Sequence, residues 1–441
     1  MRIRFVVLLM VLALATAGFA QGAGFALIEQ SVTGLGNAFA GSSASAQDAS
    51  TIFYNPAGMT LLPGQQVVAG LHYVAPSAKF QKTEAKNALG LDISGGNGGD
   101  AGESGLVPNL FYSLNPGGRL AFGLGITAPF GLTTEYPFDW VGRYHAVKSD
   151  LKTININPSL AFKVTDRLSL GAGLSAQYID VQLTSMIDFG LLSGVPGLAS
   201  VHSSDVYADL NADDWGAGYN LGLLYEISDQ TRIGLAYRSR ILHTLKGAAA
   251  FSLVDPNNPL AVPALTQFRP QNISGKVELP ASASLGFFSQ ISPAWAVMAD
   301  VMWTDWSAFD ELLIQFDGTL AATPSLTTEN WDDNWRYAIG ATFTPDETWA
   351  LRLGLAYDET PIPDVFRTPR IPGEDRFWTA IGAGYRLNEN VRFDLAYVHL
   401  FVRDSKVMKT GLATEDQARG SLFGSYDNAV DILSGQLTCS F

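Results

Sequence analysis

The residues best able to bind a metal or activate a nucleophile are five histidines, His72, His145, His202, His243 and His399, and one cysteine, Cys439. Their spacing supports neither chemistry. The histidines are scattered and lack the short intervals of a ligand set. Acyl transfer needs a nucleophile, a base and a third group that orients the base, and no histidine here stands in a recognisable nucleophile motif. No metal, cofactor or enzymatic activity is therefore expected, with an outer-membrane hydrolase as the minor enzymatic alternative. A lone cysteine also rules out an intrachain disulfide framework. Gly34-Leu35-Gly36-Asn37-Ala38-Phe39 approaches a dinucleotide fingerprint, but Phe39 stands where the third glycine belongs and no strand precedes it. With 28 Lys+Arg against 42 Asp+Glu, the net charge of −14 argues against nucleic acid, whose phosphates need clustered cations.

What the chain does carry is an export address. Arg2 and Arg4 precede an apolar run from Phe5 to Ala15, followed by small residues. Residues 1–20 read as a signal peptide cleaved after Ala20, leaving Gln21 first. No other apolar run reaches the ~20 residues of a transmembrane helix. An exported chain of this length is then either a soluble secreted protein or a β-barrel. Abundant glycine (44 residues) and aromatics (11%), with only 16% charged residues, favour the barrel.

The periodicity is that of strands. Leu351, Leu353, Leu355 and Tyr357 alternate with Arg352, Gly354 and Ala356; Val391, Phe393, Leu395 and Tyr397 alternate with Arg392, Asp394 and Ala396. One face is apolar and the other small or charged, which suits lipid outside and a polar lumen inside. A soluble sandwich has the same period, so loop lengths discriminate. Short turns at Asn115-Pro116-Gly117-Gly118, Thr165-Asp166, Ser228-Asp229-Gln230, Ser292-Pro293, Pro345-Asp346-Glu347 and Asn388-Glu389-Asn390 alternate with long connections. The latter are 76–105, 136–150, 185–213, 249–275, 317–329, 361–373 and 405–425. Short turns on the periplasmic side and long loops outside are the pattern of an outer-membrane barrel, here of about fourteen antiparallel strands over 65–441. The last strand alternates through Leu433, Gly435, Leu437 and Cys439 and ends on Phe441, resembling the signal read by barrel-insertion machinery. Trp295, Trp303, Trp335 and Trp349 are placed to form interfacial girdles, whereas Trp378 falls on the inward parity.

Residues 21–64 are not strand-like. Small residues at short spacing suit short helices packed in a confined space, as in a plug inside the lumen; a periplasmic leader is the plainer alternative. The third strand is expected to break at Ala128-Pro129-Phe130-Gly131, since Pro lacks an N–H for the ladder and Gly tolerates a bulge. Two long connections are unusually apolar, with Phe189, Leu191 and Leu192 in one and Phe251 and Leu253 in the other. These residues suit either capture of apolar solute or packing of loops into a lid.

Gly24-Phe25-Ala26-Leu27, Ser31-Val32-Thr33-Gly34-Leu35-Gly36-Asn37-Ala38-Phe39-Ala40-Gly41 and Asn55-Pro56-Ala57-Gly58 resemble the hatch of the FadL/TodX-type outer-membrane transporters of long-chain fatty acids or aromatic hydrocarbons. Trp335-Arg336-Tyr337-Ala338-Ile339-Gly340, Asp358-Glu359-Thr360-Pro361-Ile362-Pro363 and Pro372-Gly373-Glu374-Asp375-Arg376-Phe377-Trp378 extend the resemblance over the mature chain. It implies a fourteen-stranded transmembrane β-barrel plugged by an N-terminal helical hatch, with Gly24, Phe25, Gly34, Gly36, Asn55, Pro56, Ala57 and Gly58 as hatch residues. It further implies sideways release of solute through a gate at Pro129, Phe130 and Gly131, into outer-membrane lipid. The partners expected are hydrophobic small molecules, and the working unit a monomer. In one respect the chain departs from the resemblance. Ser185 and Leu313 occupy positions where family members handling fatty acids place basic groups, so fatty acid and neutral hydrocarbon both stay open. Lys163, Arg232 and Arg238 point inward by parity, with Glu226 and Asp300 as available partners. An open diffusion porin is the alternative without a plug.

Overall fold

The computed structural model describes residues 24–195, 197–320 and 322–441; the expected signal peptide and the new N-terminus at Gln21 lie outside them. Its strands, in chain order, are β1 (Gly64–Lys86), β2 (Gly105–Asn115), β3 (Leu120–Thr127), β4 (Gly131–Glu135), β5 (Lys148–Lys163), β6 (Leu168–Ile187), β7 (Val206–Glu226), β8 (Thr231–Arg238), β9 (Ile241–Leu253) and β10 (Gln271–Leu279). There follow β11 (Ser282–Ser292), β12 (Trp295–Thr304), β13 (Glu311–Phe316), β14 (Ser325–Thr328), β15 (Asn334–Phe343), β16 (Trp349–Asp358), β17 (Arg376–Arg386), β18 (Val391–Val402), β19 (Ser405–Lys409) and β20 (Ser421–Ser440). Several are halves of one crossing, such as β3 with β4, β8 with β9, β10 with β11 and β12 with β13. Together they make a closed antiparallel barrel of 14 strands. Closure is direct: β20 pairs with β1 from Gln66↔Ser440 to Lys86↔Ser421, leaving no open edge.

The alternation is realised as two faces. On β16, Leu353 is 57% exposed while its neighbour Arg352 is 6% exposed in the lumen. Trp295, Trp335 and Trp349 are exposed on the outer face, and Trp378 is buried inside, as their parities require. The short turns are closed by local side chains. Asn115 Oδ1 accepts the Gly117 N–H at 3.1 Å, and Gly117 itself adopts φ +86°, a conformation that glycine takes without strain. Asp346 Oδ1 accepts the N–H groups of Thr348 and Trp349 at 2.8 and 2.9 Å.

Several expected boundaries need correction; β1, for one, runs to Lys86, well into the stretch 76–105 expected as a connection. Phe251 and Leu253 belong to strand β9, which runs on past the expected boundary and pairs with β7 down to Val206↔Leu253. The same ladder starts β7 at Val206, eight residues earlier than the turn signals suggest, because strands continue beyond the lipid wherever a neighbour satisfies their backbone. The ninth crossing, expected to be unbroken over 294–316, is interrupted between Thr304 and Glu311. On the β10–β11 side, Ser282↔Thr304 and Gly275↔Ile314 bracket unequal lengths of chain, so the surplus bulges inward.

Candidate functional site

Residues 24–62 fold as short helical turns inside the barrel: Val32–Leu35, Ser42–Ser45, Thr51–Tyr54 and a 3-10 turn at Pro56–Leu61. Each is too short to be stable alone, so the wall holds them. Asn55 caps the last turn, its Oδ1 accepting the Ala57 N–H at 3.1 Å, and Pro56 occupies the first position, where no N–H is needed. Asn55 Nδ2 also donates to the Ser43 carbonyl at 2.6 Å and to the wall carbonyl of Leu223 at 2.9 Å. Asn37 Nδ2 donates to wall carbonyls of Ala341 and Leu353 at 2.8 and 3.2 Å. Small residues serve close approach here. A Cβ on Gly36 would stand 3.1 Å from the Cα of Gly382 on the wall, and one on Gly58 would stand 2.2 Å from Thr51 Oγ1. One on Gly34 would meet the Phe39 ring at 2.9 Å.

The third crossing breaks where expected. Between Thr127↔Asn155 and Gly131↔Lys152, four steps of chain face three on β5, so one residue is surplus. Pairing with β2 ends at Leu110↔Ile126, and the stretch 105–109 has no ladder partner on that side. The wall is therefore unpaired between 105–109 and 128–130. Thr153 Oγ1 steadies the bulge, accepting the Phe130 N–H at 3.0 Å and donating to the Phe130 carbonyl at 2.7 Å. From inside, the hatch supplies the rest. Leu27 N–H donates to the Pro129 carbonyl at 2.8 Å, and Gly131 N–H donates to the Phe25 carbonyl at 2.9 Å. Gln30 Nε2 donates to the Ala128 carbonyl at 2.8 Å, and its Oε1 accepts the Ala128 N–H at 3.2 Å.

Thus Phe25 and Gly24 meet Phe130 at the break. The Phe25 ring lies 6.1 Å from that of Phe130, 4.7 Å from Trp306 and 5.7 Å from Phe309, the last two carried by the inward bulge of the ninth crossing. Gly24, at φ +62°, fits against this cluster only without a side chain: a Cβ would stand 2.7 Å from both Trp306 and Trp331. Sequence reasoning singled out Gly24 and Phe25 but not Trp306, Phe309 or Trp331, whose segment reads as strand or loop.

Two chambers flank this aromatic cluster. The upper one, on the long-loop side, is bordered by Phe25, Leu132, Leu151, Val181, Leu245, Val277 and Phe309, among others. Its polar neighbours are bound to the wall: Arg370 donates to the Lys148 carbonyl (3.0 Å), Ser149 Oγ (2.9 Å) and the Thr184 carbonyl (3.2 Å), and Glu329 accepts from Trp331 Nε1 (2.9 Å). Burial pushes the Glu329 carboxyl up to about 7. Leu313, one of the two positions questioned above, lies on β13 between two of its lining residues, Leu312 and Ile314. The second chamber lies beside the break and is bordered by Ala26 to Ile28, Pro129, Phe130 and Met302, with Arg238 among them. Leu221 and Tyr237, of outward parity, also touch it where the seventh crossing loses its ladder after Arg238.

The lumenal charges are partnered differently from expectation. Lys163 does pair with Glu226, at 3.7 Å. Arg232 instead donates to the hatch carbonyls of Ala44 and Ser45, and Arg238 pairs with neither acid. The acid Asp300 accepts from Ser43 and Ser42 at 3.3 and 3.5 Å.

The long loops pack on one another. Phe189 packs in a cluster with Phe268, and Phe251 lies 5.5 Å from the same ring. Leu253 is packed against this cluster, and Leu192 is exposed beside it. Loop 136–150 is tied to the next by Arg143, fully buried, whose Nε donates to Asp205 Oδ2 at 2.8 Å while Tyr144 donates to Asp205 Oδ1 at 2.9 Å.

A closed barrel with a polar lumen, an inserted hatch and internal apolar chambers defines an outer-membrane transport protein of the plugged kind. The chain belongs to the outer membrane protein transport protein family (OMPP1/FadL/TodX), whose model matches residues 13–441. It is 30% identical over 419 residues to a long-chain fatty acid transport protein of Salmonella typhi, covering 93% of this chain and 94% of that one. Outer membrane protein P1 of Haemophilus influenzae is 31% identical over 422 residues, 88% of each. Among solved structures, a Pseudomonas aeruginosa FadL homologue superposes with a TM-score of 0.86 at 26% identity, covering 95% of this chain and 100% of the other. The Pseudomonas putida toluene transporter TodX, at 19% identity, shares the fold with a TM-score of 0.66, covering 89% and 94%.

Proposed function

We propose that the protein takes up hydrophobic compounds, fatty acids or hydrocarbons, and releases them sideways into the outer membrane through the break in the third crossing. Apolar solute is caught at the loops around Leu191 and Leu192, with Phe189, Phe251 and Leu253 forming the packed floor beneath them. It passes to the upper chamber and then, past Phe25, to the chamber beside Pro129, Phe130 and Gly131. Residues 21–64 act as the plug, and a single barrel does the work.

The observation that carries this reading is the unpaired wall between 105–109 and 128–130, backed by an apolar chamber. An apolar solute gains nothing by entering water, so leaving into the bilayer avoids that cost. The naming of relatives at about 30% identity as long-chain fatty acid transport proteins agrees with the substrate class. An open porin is disfavoured because the hatch is bonded to the wall around the lumen. A planar bilayer recording tests the point. The plugged transporter gives no steady large current, whereas an open channel gives one; cells carrying the protein should take up an apolar solute faster than cells lacking it.

A further inference from the structure

The chamber beside the break holds a cation with no counter-ion among the described residues. Arg238 ends β8, where the ladder of the seventh crossing stops. Its guanidinium lies 4.2 Å from the centre of the Phe53 ring, and Nη2 donates to the Phe53 carbonyl at 2.7 Å. Among the described residues no carboxylate comes within ion-pair distance of it. Its Nε and Nη1 have no protein acceptor among the described residues, and the side chain lines the chamber. The other polar groups on the chamber wall are neutral: Ser42 of the hatch, Asn220 on β7, Tyr237 on β8, Ser282 and Ser284 on β11, and Thr304 on β12. Tyr54 is already engaged, donating to the Ile28 carbonyl at 2.8 Å.

A guanidinium enclosed by protein without a counter-ion is costly. The cost is offset when an anion accepts charge-assisted hydrogen bonds from the guanidinium N–H groups that Phe53 leaves free. One cation and a few hydroxyls match a single negative charge, as on a monocarboxylate, better than the two of a phosphate ester. The remaining wall, Ala26 to Ile28, Pro129, Phe130 and Met302, suits an apolar tail. The geometry points to Arg238 as the head-group site for an amphiphile with one carboxylate and an apolar tail, held in the chamber next to the break. This inference rests on the transport reading above and narrows its substrate class. It also places the charge in a different chamber from Leu313, in the one beside the break.

Binding of radiolabelled dodecanoate and 1-dodecanol to the full barrel in nanodiscs, corrected for empty nanodiscs, tests this. The variants are R238Q, R238K and Ser282→Asp; Ser282 stands directly opposite Arg238 in register, so its aspartate supplies a resident counter-ion. Folding is followed by the heat-dependent gel shift of the barrel. R238Q and Ser282→Asp should each weaken dodecanoate by roughly tenfold or more, the scale of one charge-assisted hydrogen-bonded pair, and leave dodecanol within about twofold. R238K should retain part of the dodecanoate affinity. Unchanged dodecanoate binding, or equal loss of both ligands in a folded variant, overturns the head-group site while leaving transport standing. Wild-type protein that binds neither ligand overturns the transport reading itself, and this inference with it.

Discussion

The side-chain amide of Gln30 bonds both main-chain groups of Ala128, its Nε2 donating to the carbonyl at 2.8 Å and its Oε1 accepting the N–H at 3.2 Å. A hatch side chain thus imitates the neighbouring strand that β3 lacks at this point. Edge groups left bare in the lumen would be free to pair elsewhere, so Gln30 keeps the break both open and satisfied. Gln30→Leu leaves two buried main-chain groups without partners, a local cost of about 1–3 kcal/mol for each. Hydrogen exchange should accelerate at Ala128 and at 24–30, with the ladders of β16 to β18 unchanged. Unaltered exchange at Ala128 would show that the contact holds nothing in place.

Gly24 sits where a Cβ would lie 2.7 Å from Trp306 and Trp331. Gly24→Val should push the start of the hatch off the aromatic cluster and unpack Phe25. The tryptophan emission should shift to longer wavelength, and uptake should fall although the barrel still folds. A spectrum identical to wild type would mean that the segment bends away without cost.

Arg143 and Asp205 form an ion pair fully buried under the loops. Arg143→Met strands the Asp205 carboxylate, and breaking such a pair costs on the order of 3–5 kcal/mol. The loss falls on the loops that Arg143 ties together, 136–150 and 185–213, and on the turn at Ser94, so limited proteolysis should cut there first while the membrane wall stays intact. Cleavage at wild-type rates in both loops counts against the clamp.

Glu329 is buried beside the upper chamber, and its carboxyl is pushed up to about 7 from a usual 4.5. The folded loop therefore binds the proton more tightly than the unfolded one. The favourable contribution is fully present below pH about 4.5 and is lost as pH rises through about 7. Between pH 5 and pH 8, Tm of the wild type should fall more than that of Glu329→Gln, whose amide does not ionise. Parallel Tm curves would contradict the assignment.

Much of this molecule could be read from residue order, and the remainder shows where such reading stops. Leu351, Leu353 and Leu355 announce a two-faced strand because lipid and lumen demand opposite surfaces at every second residue. Pro129 and Gly131 announce a break because Pro has no N–H for the ladder and Gly tolerates a bulge. Phe251 and Leu253 read as loop residues, since the end of β9 is set by its partner β7 and not by its own composition. Trp306 and Phe309 look like any apolar strand residues; only the surplus length of that crossing turns them onto Phe25. Parity correctly sends Arg238 inward but says nothing of its neighbours, and the hatch carbonyl of Phe53 took the place expected for an acid.

Removing the surplus residue of the third crossing tests sideways release most directly. Deletion of Pro129, combined with Gly131→Val, gives Thr127 to residue 131 the same number of steps as Asn155 to Lys152 and lets β2 pair past Leu110. Uptake of labelled dodecanoate by cells should then fall to the level of cells without the protein, while the heat-dependent gel shift shows a folded barrel. A folded, regular third strand that still supports uptake at the wild-type rate would contradict the account.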